Sequence, residues 1–258
     1  MNNINLKNTA ENLIEAFLEA GKEAKKISER GVKITIKSDK SPVTDGDLAV
    51  DEILRNKITE LTPNIPIISE ETVNLNLENN EKNFWLIDPI DGTRDYIKKR
   101  DEYTLNAALI IDLKPVAGII YAPAKERLFF SYGKNLAYET FKGKTFQLNC
   151  NKKNSGKVIG LENSNHTPIE ILNIYKKHNV SKTIKMSSSF KFCILAAGEA
   201  DIYAANARAY EWDIAAGHAI LVHAGGSMTT HDEKEFAYGK KNYKNLPIIA
   251  KRSQNLEK

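Results

Sequence analysis

Apolar positions recur at helical spacing along the first thirty residues, where Leu13, Ile14, Phe17, Leu18, Ala24 and Ile27 share one face and Gly31 supplies a stop. The spacing predicts one amphipathic helix, with Lys22, Lys25 and Lys26 on its solvated face. The period then shortens. Val32 to Ile36 has strand character, and a polar run from Lys37 to Gly46 separates it from a second helical face made by Leu48, Val50, Ile53, Leu54 and Ile58. Ile65 to Ile68 reads as a strand that delivers Ser69-Glu70-Glu71-Thr72, two glutamates of the kind usually solvated, and Asn74 to Asn83 reads as a polar loop. Phe84 to Ile87 is an uninterrupted apolar run of strand character. Pro89 cannot donate to a sheet ladder, so that strand is expected to stop at Asp88. From Thr104 onward, short apolar runs alternate with turn signals at Thr104 to Ile111, Val116 to Tyr121, Leu128 to Tyr132, Ala137 to Tyr138 and Thr145 to Leu148, which predicts antiparallel hairpins.

The polar, basic stretch Asn149 to Lys157 is the expected boundary between two halves, residues 1–150 and 151–258. Beyond it, strands at Val158 to Leu161, Thr183 to Met186 and Asp201 to Ala204 alternate with helices at Pro168 to His178, Phe190 to Ala197 and Glu211 to Ala224, the last ended by Gly225-Gly226. The mixture points to an α/β (α+β) fold.

Composition adds bounds rather than direction. The 258 residues, 41% hydrophobic and 27% charged, suit an ordinary globular protein built as one large domain or two closely packed halves. A net charge of +4 with lysines spread along the chain does not favour nucleic-acid binding. No apolar stretch reaches the ~18 to 20 residues of a membrane span; Leu105 to Ala122 is interrupted by Asp112, Lys114 and Pro115 and reads as two strands with a turn. The start, Met1-Asn2-Asn3-Ile4-Asn5, lacks the charged and apolar regions of a signal peptide, so a cytoplasmic location is expected. Cys150 and Cys193 read as buried or incidental thiols rather than as a disulfide or a zinc site.

What changes the picture is where the acids fall. Asp47 stands at a helix start, Glu70 at a strand exit, Asp88 and Asp91 flank a turn, and Asp213 lies in the first turn of the last helix. Each has an ordinary reading by itself, as a first-turn acid, a solvated glutamate or a turn aspartate. Together they form an oxygen-only set, which suits a hard cation such as Mg2+ and disfavours zinc and copper. Converging carboxylates would raise one another's pKa without a cation between them. Gly92-Thr93 can open a helix whose free N–H groups favour an anion. Neither a phosphate-cradling Walker loop nor a Cys-x5-Arg nucleophile is found.

Glu70-Glu71, Asp88-Pro89-Ile90-Asp91-Gly92-Thr93 and Trp212-Asp213-Ile214-Ala215-Ala216-Gly217 resemble, in order and spacing, the three signatures of the inositol monophosphatase superfamily of Mg2+-dependent, lithium-sensitive phosphatases. The resemblance runs from the first helix to about Pro247. Within that superfamily, Lys37 to Thr44, Ser69 ahead of the glutamates, Arg94-Asp95-Tyr96, Ser188 to Cys193 and Glu211 before Trp212 are similar to the CysQ-type 3'(2'),5'-bisphosphate nucleotidases, with Arg94 standing where those carry Lys.

The resemblance implies a layered α-β-α-β-α sandwich. It implies one Mg2+ on Glu70, Asp88 and the carbonyl of Ile90, a second on Asp88, Asp91 and Asp213, and a third held more weakly by Glu70 with Asp47. Gly92 and Thr93 would present N–H groups to the phosphate, and Thr93 with Asp47 would orient the attacking water. Glu70, Asp213 and Ser189 would also face the substrate, with Asp39 a weaker candidate. The implied reaction converts 3'-phosphoadenosine 5'-phosphate to AMP in sulfur-assimilation salvage, with Lys191 on the second phosphate and His166 as a wall for the adenine. His218 and His223 read as packing residues. A monomer or a homodimer, and peripheral association with the cytoplasmic face of a membrane, are both compatible with such relatives. The rival readings are an inositol or sugar phosphatase of the same superfamily, which needs no nucleobase pocket, and a non-catalytic Mg2+- or nucleotide-binding regulator, which has no need of the water-orienting pair.

Overall fold

The computed structural model of the protein describes residues 4–75, 80–151, 156–163, 166–253 and 256. Residues 76–79 of the expected loop, 152–155 of the expected connector, and 164–165 beside His166 lie outside the described residues. In chain order the elements are α1 (Leu6–Arg30), β1 (Ile34–Ile36), β2 (Pro42–Thr44), α2 (Asp45–Leu61), β3 (Ile67–Ser69), β4 (Phe84–Asp91) and α3 (Thr93–Ile97). The hairpin region follows as β5 (Thr104–Ile111), β6 (Lys114–Ala122), β7 (Arg127–Ser131), β8 (Ala137–Phe141) and β9 (Lys144–Gln147). The second half holds β10 (Val158–Glu162), α4 (Ile169–Lys177), β11 (Val180–Lys185), α5 (Phe190–Ala196), β12 (Ile202–Ala205), α6 (Glu211–His223), β13 (Ser227–Thr230) and β14 (Ile248–Lys251).

Among the described residues, β3 to β9 form one sheet in sequence order, antiparallel except for the parallel β3–β4 pair, and a second sheet runs β11-β10-β12-β14-β13. Three cores separate the layers. Leu13, Phe17, Val50, Leu54 and Ile58 of α1 and α2 pack on one face of the larger sheet with Trp85, Ile87, Leu105 and Leu109. Phe84, Leu86, Ala108 and Ile110 look the other way, onto α5, α6 and the smaller sheet. Ile171 and Tyr175 of α4 close the far side of that sheet with Ile202 and Ile249. The order is therefore helices, sheet, helices, sheet, helix, the layered sandwich that the resemblance implies. Strand β4 is apolar at every position from Phe84 to Ile87 because successive side chains alternate between two covered faces.

Several boundaries differ from the sequence reading. Strand β3 lies at Ile67–Ser69, two residues beyond the expected start, and the helix carrying Asp47 begins at Asp45. Strands β2, β13 and β14 have no counterpart in the sequence pattern, since three or four residues are too short to establish a period. The largest difference is at Pro89. Strand β4 does not stop there but continues to Asp91, because its pairing with β5 slips: Asp88 opposes Asn106 and Asp91 opposes Thr104, so two residues face one. This is a β-bulge, where a proline without an N–H is tolerated. The extra residue also decides the chemistry. Acids three apart on a regular strand would point to opposite faces, whereas the bulge puts Asp88 and Asp91 on the one face that Thr104 and Asn106 share.

Helix α6 presses closely on this sheet. A Cβ at Gly118 of β6 would lie 2.5 Å from the Ala216 carbonyl oxygen and 3.0 Å from the Ala216 Cα, both backbone atoms that no rotamer change can move. Gly118→Ala is expected to cost about 2–3 kcal/mol by overpacking. That is a drop in Tm of roughly 5–10 °C for a chain of this size. A thermal melt followed by circular dichroism checks it, and an unchanged Tm would show that the helix rides freely on the strand.

Candidate active site

Each acid is set in place by a local device. Helix α2 is capped by Thr44, whose Oγ1 accepts from the N–H groups of Gly46 and Asp47 at 3.1 and 3.3 Å. Asp47 replies with Oδ2, which accepts from the Thr44 N–H at 2.7 Å and the Thr44 hydroxyl at 2.6 Å. Its other oxygen, Oδ1, accepts from the Thr93 hydroxyl at 3.3 Å. Burial raises the Asp47 carboxyl to about 6. The two residues expected to orient water are thus already hydrogen-bonded across 46 positions of sequence.

Glu70 leaves β3 with its N–H donating to the Ile87 carbonyl at 3.1 Å, which carries the parallel pairing one step past the strand. Asp213 sits three positions into α6, where Oδ2 accepts from the Tyr210 N–H at 2.8 Å. Asp88, 1% exposed, comes in from the bulged strand. Glu70, Asp88 and Asp213 each offer an oxygen, and the three atoms lie within 4.8 Å of one another. Asp91 is held beside them by the backbone N–H of Ser189, which donates to its Oδ2.

The electrostatics of the cluster fit a cation. Burial, then the charges of Glu70, Asp91, Asp213 and Asp47, push the Asp88 carboxyl well above the usual range. Burial, then Asp91 and Glu70, do the same to Asp213. Burial raises Asp91 to about 6 against the pull of Lys191. One oxygen of Asp88, Oδ1, is buried with no hydrogen-bond partner. An orphaned acceptor among acids that repel one another is what a hard divalent cation would satisfy.

Around the cluster is a cleft of about 480 Å³ whose lining includes Glu70, Asp91, Gly92, Thr93, Ser189, Lys191 and Asp213. Gly92 adopts φ 95°, and a Cβ there would lie 3.0 Å from the Glu102 carbonyl oxygen, so the turn that opens α3 requires glycine. The Ile90 side chain is buried under α1 and α2, while its carbonyl lies 3.1 Å from the Thr93 hydroxyl, whose single proton is shared between that carbonyl and Asp47 Oδ1. Ser189 lines the cleft, but its hydroxyl donates to Asn106 Oδ1 at 2.6 Å and shares a hydrogen bond with Thr104 at 2.8 Å, so it braces Asp91. Lys191 is buried, and Nζ donates to the carbonyls of Ser188 at 2.6 Å and Met186 at 3.3 Å, two of its three N–H groups. Burial lowers it to about 8.

His166 lies elsewhere. It lines a side pocket of about 140 Å³ with Pro168, Ile171, Tyr175 and Tyr203. Asp39 is not brought to the cleft; its Oδ1 accepts from the N–H and hydroxyl of Ser41 at 2.9 and 2.6 Å and so closes its own loop. His218 and His223 pack as expected, hydrogen-bonded to Tyr238 and Ser131 at 2.9 Å, and burial lowers them to about 3 and about 4, which keeps both neutral near pH 7. Cys150 and Cys193 are buried free thiols.

Three features escaped the sequence reading. Glu71 is not solvated: its side chain is 4% exposed and pairs with Lys37. Lys37 Nζ donates to Glu71 at 2.9 Å and Glu70 at 3.1 Å, drawn across from the β1–β2 hairpin. Thr104 and Asn106 belong to the site because they stand opposite the two aspartates on β5, a register that the two apolar runs alone do not give. Arg208, in the loop before α6, borders both the cleft and the side pocket.

The sequence profile described as the inositol monophosphatase family matches residues 5–257. The chain is 37% identical over 205 residues, covering 79% of itself and 76% of the relative, to a protein of Buchnera aphidicola subsp. Acyrthosiphon pisum named 3'(2'),5'-bisphosphate nucleotidase CysQ. Among solved structures it is similar to CysQ from Bacteroides thetaiotaomicron, with a TM-score of 0.78 and 29% identity over 96% of this chain and 97% of that one. An IMPase/NADP phosphatase complexed with Mg2+ and phosphate shares the fold, with a TM-score of 0.77 at 17% identity over 96% of this chain and 91% of that one. No helix among the described residues is long and apolar enough to cross a membrane.

Proposed function

On the premise that the chain belongs to the inositol monophosphatase family, we propose that it is a Mg2+-dependent phosphatase that removes the 3'-phosphate of 3'-phosphoadenosine 5'-phosphate, leaving AMP and phosphate. The observation that carries this reading is the trio of Glu70, Asp88 and Asp213, oxygen ligands converging beside a cleft large enough for a nucleotide. The names of the relatives at up to 37% identity support the nucleotide as substrate. The side pocket beside His166 supports it too, since Tyr203, Pro168 and Ile171 give it an apolar lining of the kind that a base requires.

Glu70, Asp88, the Ile90 carbonyl, Asp91 and Asp213 would hold the metal. Mg2+ bound by them would supply Lewis-acid charge, lowering the pKa of water and offsetting negative charge on the phosphoryl and leaving oxygens. The remaining work belongs to the protein. The Thr93 hydroxyl donates to Asp47 Oδ1, which leaves its own lone pairs to accept from an attacking water and fixes that water's direction. As the water oxygen bonds to phosphorus, its proton would pass through Thr93 Oγ1 to Asp47, the buried carboxylate hydrogen-bonded to that hydroxyl. The bond from phosphorus to the ribose 3'-oxygen breaks, and a solvent proton completes the alcohol. Gly92 and Thr93 would orient the phosphate through backbone N–H groups at the start of α3. Positioning and charge compensation suffice, as in other phosphoryl transfers, and no phosphoenzyme is needed.

The direct test is phosphate release from 3'-phosphoadenosine 5'-phosphate, inositol 1-phosphate and fructose 1,6-bisphosphate, each with Mg2+ and with EDTA. Fast release from the nucleotide, abolished by EDTA, is the expected result. A preference for the inositol ester would keep the metal centre and overturn the substrate. Tight nucleotide binding with no release from any ester would make the chain a regulator.

A further inference from the structure

Between β11 and α5 the chain makes a turn, Met186 to Ser189, that is held by charged side chains. The Ser187 N–H donates to Glu102 Oε2 at 2.9 Å, and the Ser189 N–H donates to Asp91 Oδ2. Lys191 Nζ donates to the carbonyls of Met186 at 3.3 Å and Ser188 at 2.6 Å. Two peptide units are therefore clamped in the same way, each with its carbonyl on Lys191 and its N–H on a carboxylate, Glu102 for the first and Asp91 for the second. Between them Ser188 stands at φ 55°, a conformation that a residue with a side chain keeps only where its surroundings impose it. We propose that Glu102 is a positioning residue for the metal centre: by anchoring Ser187 it keeps the Ser189 N–H on Asp91, and so sets how Asp91 faces the cation. This role rests on the Mg2+ reading above and needs no nucleotide.

The coupling follows from the backbone. Rotation at Ser188 turns the peptide plane between Ser188 and Ser189, and that plane carries the N–H that Asp91 accepts. With Glu102 gone, Ser187 loses the partner of its N–H, and Ser188 is free to relax towards negative φ. Lys191 cannot replace the anchor, since an ammonium on a flexible stem follows the carbonyls that it binds. Glu102 also abuts the turn that opens α3: a Cβ on Gly92 would lie 3.0 Å from the Glu102 carbonyl oxygen and 3.6 Å from Ser188 Cβ. One residue thus touches both turns that flank Asp91. Hydrogen bonds that orient a ligating carboxylate tune the affinity of the site without touching the ion.

The experiment measures Mg2+ affinity from the rise in melting temperature as Mg2+ is added without substrate, and the Mg2+ dependence of phosphate release from 3'-phosphoadenosine 5'-phosphate. It compares the wild type with Glu102→Ala, Glu102→Asp, Glu102→Gln and Asp101→Asn. The alanine and the shortened aspartate are expected to weaken Mg2+ binding about 5- to 30-fold and to raise the half-saturating Mg2+ concentration by the same factor. At saturating Mg2+, kcat and the KM for nucleotide should stay within about twofold, because the groups that meet the substrate are intact. Glu102→Gln keeps an oxygen at the same reach without the charge, and should return Mg2+ affinity to within about threefold of the wild type. Asp101→Asn removes the neighbouring exposed charge and should change nothing. Unchanged affinity in the alanine and aspartate variants, an equal loss in Glu102→Gln, or a matching loss in Asp101→Asn would each overturn the role of Glu102 and leave the metal centre in place. A wild type whose melting temperature does not respond to Mg2+ overturns both.

Discussion

Asp88→Asn is expected to lower turnover by more than about a thousandfold and, in EDTA, to raise the melting temperature of the same protein. The two effects have one origin. Asp88 is 1% exposed, its Oδ1 has no partner, and the charges of Glu70, Asp91, Asp213 and Asp47 all oppose its ionisation. Without a cation, the folded state must either bury a repelled carboxylate or hold a proton that the unfolded chain would have released at neutral pH. Asparagine has nearly the same shape and removes the charge, so the metal-free protein should gain stability. The wild type should recover its deficit when Mg2+ is added, because a ligand that binds only the folded state stabilises it by mass action, about 2.7 kcal/mol at a hundred times Kd. Melting curves of both proteins in EDTA and in Mg2+ decide the matter. The wild type should show the larger Mg2+-induced rise and the variant the higher starting point. A variant that melts well below the wild type in EDTA would mean that the carboxylate is a structural acceptor, and the assignment of the trio to a metal would lose its physical basis.

That strain sits where local sequence preference and fold disagree, and such places divide what can be read from the chain from what cannot. The apolar run Phe84 to Ile87 announces a strand, and Asp88, Asp91 and Asp213 announce acids at element ends, because both signals are local. Asp47 is legible for the same reason: a capping box needs only Thr44 and the residue three positions later. The bulge is not legible. Pro89 argues for the end of a strand, and only the register against β5, set by Thr104 and Asn106, shows why the strand runs on to Asp91. Glu71 is read as solvated because a charged side chain gives no sign of a partner 34 residues away. Arg208 stands in an irregular loop with no periodicity, and its position between two concavities exists only after β12 and α6 have been packed. The motifs therefore locate the acid cluster, while the walls of the two concavities come from the tertiary arrangement.

Asp201→Asn is expected to destabilise the protein by about 3–5 kcal/mol without touching the cleft. Asp201 and Arg252 are 1% and 4% exposed, and they tie the start of β12 to the end of β14. Asp201 Oδ1 accepts from Arg252 Nε, Oδ2 accepts from the Ile159 N–H at 2.7 Å, and the Arg252 N–H donates back to the Asp201 carbonyl at 3.0 Å. Arg252 Nη1 also donates to the Cys150 carbonyl at 3.3 Å, linking the end of the first half to the smaller sheet. Removing the carboxylate charge takes the Asp201 counter-charge from a buried guanidinium, and that penalty, rather than the attraction lost, sets the size of the effect. At roughly 2–4 °C per kcal/mol, Tm should fall by about 6–20 °C. Arg252→Met alone should cost a comparable amount by stranding Asp201. The double variant Asp201→Asn/Arg252→Met should be much less unstable than the two losses summed, because neither charge is then left behind. Denaturant melts of the four proteins give the coupling. Additive losses would mean that the two residues act separately, Asp201 as the acceptor for Ile159 and Arg252 as the donor to Cys150, with the ion pair contributing nothing of its own.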